Sequence, residues 1–260
     1  MEFKKEELIK SPLNYTGGKF KLLPQILPLF PDNINTFVDL FTGGCNVGVN
    51  VKANKIICND YMSQIIDLYK SWQNNKSEDV YKHMFMRINQ FNLSKENKEG
   101  YLQMRELYNK EKNPLDLYVL ICYSFNNSIR FNSKGEFNIA FGKDRSDFNI
   151  ALQDRLSLFI EKIKNIKFFD KSFECINLNK LKKDDLIYAD PPYLITVANY
   201  NENGGWNEDL EVKLLNKLDE ANSKDIKFAL SNVLEHKGKS NDILKDWSKK
   251  YNIHYLNYNY

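Results

Sequence analysis

Apolar and polar positions follow two rhythms along the chain, and the rhythm changes twice. In the first third, runs of strand-forming residues at 36–41 and 55–60 alternate with stretches of another kind. The first run ends at Thr42-Gly43-Gly44, after which Asn46 is placed to cap a helix reaching about residue 53. The second leads into residues 62–72, where Ile65, Ile66, Tyr69 and Trp72 repeat at helical spacing. Strand, helix, strand, helix predicts a parallel sheet. From about residue 70 to 160 helical patterns dominate, at 80–93, 95–112 and 115–125. Residues 129–141 then read as a β-hairpin turning at Ser133-Lys134-Gly135. Strand patterns return at 166–170, 185–190 and 227–232, helical ones at 208–222 and 241–251, and a further strand begins at Ile253.

The simplest organisation is an α/β fold: a Rossmann-like sheet with helices on both faces, formed by residues 1–69 and 160–260. A mostly helical insertion over 70–159 bears the hairpin. The composition fits this. With 42% hydrophobic and 13% aromatic residues, the 260-residue chain can bury a core and is not a disordered segment. No run approaches the roughly 20 apolar residues of a spanning helix, so no membrane association is expected. The first residues, Met1-Glu2-Phe3-Lys4-Lys5, lack the apolar stretch of a signal peptide, which points to a cytoplasmic protein. Cys45, Cys58, Cys122 and Cys175 are scattered, and only His83, His236 and His254 are available. Neither a metal site nor a histidine-dependent nucleophile is expected. A net charge of +3 is too small to identify a partner.

Chemistry is concentrated at strand ends. Asp39 lies near the end of the first strand and Phe41-Thr42-Gly43-Gly44 follows, so the backbone can approach a ligand in the crevice beyond the strands. About twenty residues on, Asp60 ends the second strand, where a carboxylate can accept from ribose hydroxyls. Without a full G-x-G-x-x-G, the pattern suits a nucleoside lacking a pyrophosphate, such as S-adenosylmethionine; a plain glycine turn would read the same. Tyr15-Thr16-Gly17-Gly18-Lys19 lacks the spacing and hydroxyl residue of a phosphate loop, since Phe20 follows. A lysine at a helix start opposes the dipole, which favours a ligand role for Lys19 over a simple turn.

The sharpest motif is Asp190-Pro191-Pro192-Tyr193, after the apolar strand at 186–189. Pro191 fixes φ, so the carboxylate and a prolyl carbonyl become rigid acceptors for an exocyclic NH₂, while Tyr193 offers a stacking face. Binding both N–H groups favours a pyramidal nitrogen, frees its lone pair and stabilises the charge that develops there. Attack on a sulfonium methyl then needs alignment rather than a metal or covalent intermediate.

These residues resemble the Dam-type DNA adenine-N6 methyltransferases of the α-group, D12 class, and in particular the T-even-phage-like enzymes. The likeness runs over nearly the whole chain. It is carried by 14–19, 37–44, Asn59-Asp60, 129–132, 141–143, 190–197 and 231–236. The resemblance implies a cofactor, S-adenosylmethionine, bound through Tyr15, Lys19, Asp39, Phe41, Gly43, Gly44, Asp60, Phe173 and Asp190. It implies that Asp190, Pro191, Pro192 and Tyr193 hold a flipped adenine. Arg130 matches an arginine that reads a guanine in the major groove, in keeping with its fork geometry. Asn132, Lys134 and Lys143 complete the expected DNA contacts, with Arg145 among the basic residues available to phosphates.

The expected activity is methyl transfer to adenine N6 in double-stranded DNA, with GATC as the expected site. The expected protein is a monomer or weak dimer without metal. Alternatives are a non-catalytic or truncated DNA-binding relative, or an amino-methyltransferase on RNA. Ser128 and Ala140 replace a bulkier apolar residue and a proline of the family, which bears on the remaining base pairs. The chain stops at Tyr260 where the family continues through a final hairpin, so an exposed sheet edge is expected. Residues 199–206, rich in Asn and Gly, read as a loop near DNA.

Overall fold

Five short strands form a fully parallel sheet in a computed structural model that describes residues 7–196 and 205–257. They are β1 (Thr36–Asp39), β2 (Lys55–Asn59), β3 (Ile166–Phe169), β4 (Leu186–Ala189) and β5 (Lys227–Leu230), in the order β3-β2-β1-β4-β5. Register sorts the side chains by face. Val38 lies beside Ile57 and Ile187, whereas Phe37 lies beside Ile56 and Leu186. The first row packs under α7 (Glu208–Ser223) through Leu214 and Leu218. The second packs under α1 (Leu23–Ile26), and its continuation, Cys58, Ile166 and Phe168, joins the helical layer. The expected α/β sheet with helices on both faces is the observed architecture.

That helical layer comprises α2 (Ser63–Asn74), α3 (Ser77–Gln90), α4 (Lys98–Glu111), α5 (Pro114–Tyr123) and α6 (Ile150–Ile163). Helix α5 is apolar around most of its circumference and buried from Leu115 to Tyr123, because α2, α3 and α4 all pack against it. A single apolar cluster runs from Cys58 and Phe168 on the sheet through Trp72 and Tyr118 to Phe137 of the hairpin. The hairpin is therefore seated on the helices by Ile129, Phe137 and Ile139, with Arg130 and Asn138 on its other side.

Several expectations change. Residues 46–50 form successive turns and 51–53 are irregular, with no α-helix. Asn46 accepts from the Ser11 amide and Asn50 exchanges two bonds with Ile9, so these side chains tie the N-terminal segment down instead of capping a helix. Residues 129–141 make a hairpin with one isolated bridge, Phe131 to Phe137, rather than two continuous strands. Helix α6 has no counterpart among the expected elements although its pattern is readable: an Asn149 cap, then Leu152, Leu156, Phe159, Ile160 and Ile163 on one face. A small hairpin, β6 (Glu235–His236) with β7 (Lys239–Ser240), precedes α8 (Asp242–Ser248) and is likewise unexpected. Beyond α8, residues 253–257 pair with no strand; Ile253 and Tyr255 are exposed, and the Asn257 amide donates to Gln25. Of the expected loop at 199–206, residues 199–204 lie outside the described residues. No helix among the described residues is long and apolar enough to cross a membrane.

One polar feature interrupts this apolar layer. Asp116, fully buried in α5, receives Arg87 Nε and Nη2 at 2.9 and 3.0 Å and lies 2.6 Å from His83 Nε2. Both partners belong to α3, so the carboxylate fixes how α3 crosses α5. Asp116→Ala leaves the Arg87 charge unpaired and is expected to cost about 3–5 kcal/mol, read as a lowered urea midpoint with an unchanged slope.

Candidate active site

The switch point of the sheet lies between β1 and β4, whose chains run on in opposite directions, and the crevice beyond their carboxyl ends is where such sheets bind ligands. Asp39 is the last residue of β1, and Asp60 and Asp190 directly follow β2 and β4. Topology alone thus brings three carboxylates from distant parts of the chain to one edge. Their charges reach one another: Asp190 and Asp60 both act on Asp39.

Each carboxylate has its own support. Asp39, 1% exposed, accepts from the Phe41 amide at 3.3 Å. Burial, then the charges of Asp190 and Asp60, push its carboxyl up to about 8. Asp60 accepts from the Gly43 amide at 2.8 Å and the Met62 amide at 2.9 Å, locking the Gly-Gly turn to the end of β2. Desolvation still raises its pKa, against those donors. Asp190 forms a 2.6 Å ion pair with Lys19, which is 7% exposed, and accepts from the Tyr193 hydroxyl at 3.1 Å. Burial raises the Asp190 pKa, and the Lys19 charge works against that rise. Burial works against the Lys19 charge too, yet Asp190 and then Tyr193 hold its pKa above the ordinary lysine value. Lys19 also donates to the Gly17 carbonyl at 2.8 Å and lies 5.2 Å from the centre of the Tyr193 ring. The two motifs read separately in the sequence are one unit.

The glycines are required by close approach. A Cβ on Gly43, whose φ is +45°, would lie 2.8 Å from the Tyr15 ring, and one on Gly44 3.1 Å from the Tyr15 side chain. The Gly43 carbonyl accepts from the Tyr69 hydroxyl at 2.6 Å, so α2 also grips the turn. Phe41 and Phe173 pack at 5.5 Å between ring centres. Pro191 is buried, and Pro192 and Tyr193 are half-buried. These contacts join the predicted residues 15, 19, 39, 41, 43, 44, 60, 173, 190 and 193 at the carboxyl ends of the strands, with Pro191 and Pro192 between the last two.

This set fits S-adenosylmethionine by its chemistry. Carboxyl oxygens at the strand ends can accept from an α-ammonium, Asp60 retains lone pairs for ribose hydroxyls, and Phe41 and Phe173 provide apolar rings beside them. Among the described residues no group of side chains could hold a metal ion.

The hairpin residues Arg130 and Asn132 take their partners within the hairpin. Arg130 donates from Nε to Asn138 Oδ1 at 2.9 Å and from Nη2 to the Asn138 carbonyl at 3.2 Å. Asn132 is spent inside the turn, accepting from the Lys134 and Glu136 amides and donating to the Glu136 carboxylate. Lys134 and Lys143 are exposed. Sequence reasoning missed Asn138, whose hold on Arg130 crosses the hairpin. It also missed Tyr61, 83% exposed beside Asp60, and Trp206, which completes a cluster with Phe41 and Phe173. Tyr61 is signalled by its place after Asp60; Trp206 is not, because it stands well beyond the motif in the sequence.

A model of the D12 class of N6 adenine-specific DNA methyltransferases matches residues 15–260. The Type II methyltransferase M.FokI of Planomicrobium okeanokoites is 53% identical over 99% of this chain and 41% of its own length. Modification methylase StsI of Streptococcus sanguinis is 47% identical over 98% of this chain and 40% of its own. The DNA adenine methylase of Escherichia coli (strain K12) is 29% identical over 72% and 67%, respectively. The chain thus spans about two-fifths of the first two relatives.

The raised Asp39 pKa makes a stability prediction. Unfolded, Asp39 loses its proton near 3.8; folded, it keeps it to about 8, so its contribution is complete below pH 4 and is lost as pH rises through 8. Asp39→Asn preserves an acceptor for the Phe41 amide and removes the titration. The variant should gain on the parent by on the order of a few kcal/mol at pH 8.5 and match it near pH 4. Denaturant unfolding across that range is the measurement; parallel curves would mean that Asp39 stays ionised in the fold.

Proposed function

The chain belongs to the D12 class of N6 adenine-specific DNA methyltransferases, and from that membership we propose that it transfers a methyl group from S-adenosylmethionine to N6 of an adenine in duplex DNA. The observation that carries this reading is the Lys19–Asp190–Tyr193 unit at the switch point of the sheet. S-adenosylmethionine, when bound, supplies an electrophilic methyl group on a sulfonium sulfur.

The residues divide the remaining work. Tyr15, Phe41, Gly43, Gly44, Asp60 and Phe173 bind the cofactor, with Asp39 contributing from beneath the turn. Asp190 accepts one N6–H and a prolyl carbonyl of the Pro191-Pro192 pair the other, favouring a pyramidal nitrogen whose lone pair points at the methyl. Tyr193 stacks on the adenine, which must leave the helix for its amino group to reach the strand ends. Lys19 is a positioning residue: its ammonium keeps Asp190 in the carboxylate form, the form that accepts on every lone pair. As positive charge builds on N6, the Asp190 charge stabilises it, and the proton lost after transfer leaves through the same contact.

Sequence reading falls to residues 70–159. Asn138 engages the Nε edge of Arg130, which leaves the Nη1/Nη2 fork for guanine O6 and N7. Asn132 shapes the turn instead of touching bases, and Lys134 and Lys143 meet phosphates. A guanine near the target adenine is the part of the site with a physical rationale. GATC is the sequence that the family resemblance supplies, and Ser128 and Ala140 are where a different neighbouring base would be accommodated.

Incorporation of labelled methyl into duplexes with and without GATC, and into a set substituted at each guanine, tests the reading. Methyl on N6 of adenine is the expected outcome, and no transfer to any duplex would reject catalysis by this chain. Asp190→Ala is expected to abolish transfer while melting as a folded protein; a folded variant with a near-parental rate would remove Asp190 from the chemistry.

Arg130→Ala should cost about 1–3 kcal/mol in kcat/KM on the preferred duplex and much less where the guanine is already replaced. Equal losses on all duplexes would make Arg130 a phosphate contact.

A further inference from the structure

A buried carboxylate stands beside the proposed cofactor site without a part in the chemistry above. Glu211, in the first turn of α7, is 0% exposed. It accepts from Trp206 Nε1 at 2.5 Å on one oxygen, and from Asn232 Nδ2 at 3.2 Å and Asn241 Nδ2 at 3.0 Å on the other. The three donors come from three segments. Trp206 lies between the Asp190-Pro191-Pro192-Tyr193 turn and α7, Asn232 lies just past the carboxyl end of β5, and Asn241 caps α8.

The Trp206 ring is in turn packed 5.5 Å from Phe41 and 5.6 Å from Phe173, centre to centre. Phe41 and Phe173 touch each other as well, so the three rings form a closed triangle with no slot inside it. Each ring therefore limits the tilt of the other two. Burying a carboxylate is unfavourable unless its oxygens are satisfied, and a leucine would pack α7 at lower cost. What the carboxylate adds is direction: only an acceptor at this point fixes the indole N–H, and with it the plane of the ring.

We propose that Glu211 is a positioning residue for cofactor binding, which through Trp206 fixes the Phe41 and Phe173 rings against which the purine of S-adenosylmethionine packs. This rests on the methyltransferase reading given above. Glutamine is a discriminating replacement, because it offers one oxygen. With that oxygen toward Asn232 and Asn241, its NH₂ confronts the indole N–H; turned round, it confronts two amide donors.

The test is calorimetric titration of S-adenosylmethionine into the parent, Glu211→Gln, Trp206→Phe and the double variant, with melting curves for each. Glu211→Gln and Trp206→Phe should each raise Kd about tenfold, the effect of one disrupted buried hydrogen bond. The KM for duplex DNA should change much less than the KM for cofactor. In the double variant the introduced glutamine NH₂ no longer faces an indole N–H, so its Kd should not exceed that of Trp206→Phe alone. Any fluorescence change that the cofactor causes in the parent should be lost in Trp206→Phe. A parental Kd in folded Glu211→Gln, or losses that add in the double variant, would overturn the proposal. If Glu211→Gln does not fold, Trp206→Phe decides, and a parental Kd in it overturns the proposal. A parent that binds no S-adenosylmethionine would overturn the methyltransferase reading itself, and this inference with it.

Discussion

The 2.6 Å ion pair between Lys19 and Asp190 holds the site together. The sheet delivers three carboxylates to one crevice, and like charges in a poorly solvated place repel one another and favour protonation. Lys19 is the cation that answers them, and it is itself buried. Its charge survives there only because Asp190 and Tyr193 face it. Each partner makes the other's burial tolerable, and removing either would leave an uncompensated charge. A segment that precedes the sheet is thereby fastened to the turn after β4.

The glycine turn is secured in the same way, by partners from several elements. Asp60 accepts two backbone amides, Asn59 reaches the Leu40 and Lys171 carbonyls, and Tyr69 donates to the Gly43 carbonyl. A turn with glycine at positive φ would otherwise be among the looser parts of the chain. Here it is held from β2, from the loop that follows β3 and from α2. A ligand arriving in the crevice meets groups already in place, so little ordering entropy remains to be lost on binding.

The helical layer and the sheet share one apolar cluster, which ties the hairpin bearing Arg130 to β2 and β3, and so to the strand end that Asp60 follows, through packed side chains. Asp116 is the exception within that cluster. Its paired burial fixes a helix crossing that apolar contact alone would leave free to slide. Asn138 plays a comparable part on the surface, giving a long arginine one orientation in place of many. In both cases polar groups provide geometry while apolar packing provides the bulk of the cohesion.

Features that depend on neighbours along the chain are legible in the amino-acid order. Strand runs such as Thr36–Asp39 and Leu186–Ala189, the period of α2, the Gly43-Gly44 turn and the Asp190-Pro191-Pro192-Tyr193 motif are of this kind, because propensity, periodicity and turn chemistry act over a few residues. The pattern of α6 is legible in the same way, though it is absent from the expected elements. Strand order and register settle the rest. They make Asp190 the partner of Lys19, turn Asn46 from a helix cap into a clasp on Ser11, and set Asn138 against Arg130. They also leave residues 253–257 unpaired where the local pattern reads as a strand. No window of sequence holds these outcomes. A polar side chain takes whichever partner the fold brings within about 3 Å, and that is fixed only when distant segments have found their places in the sheet.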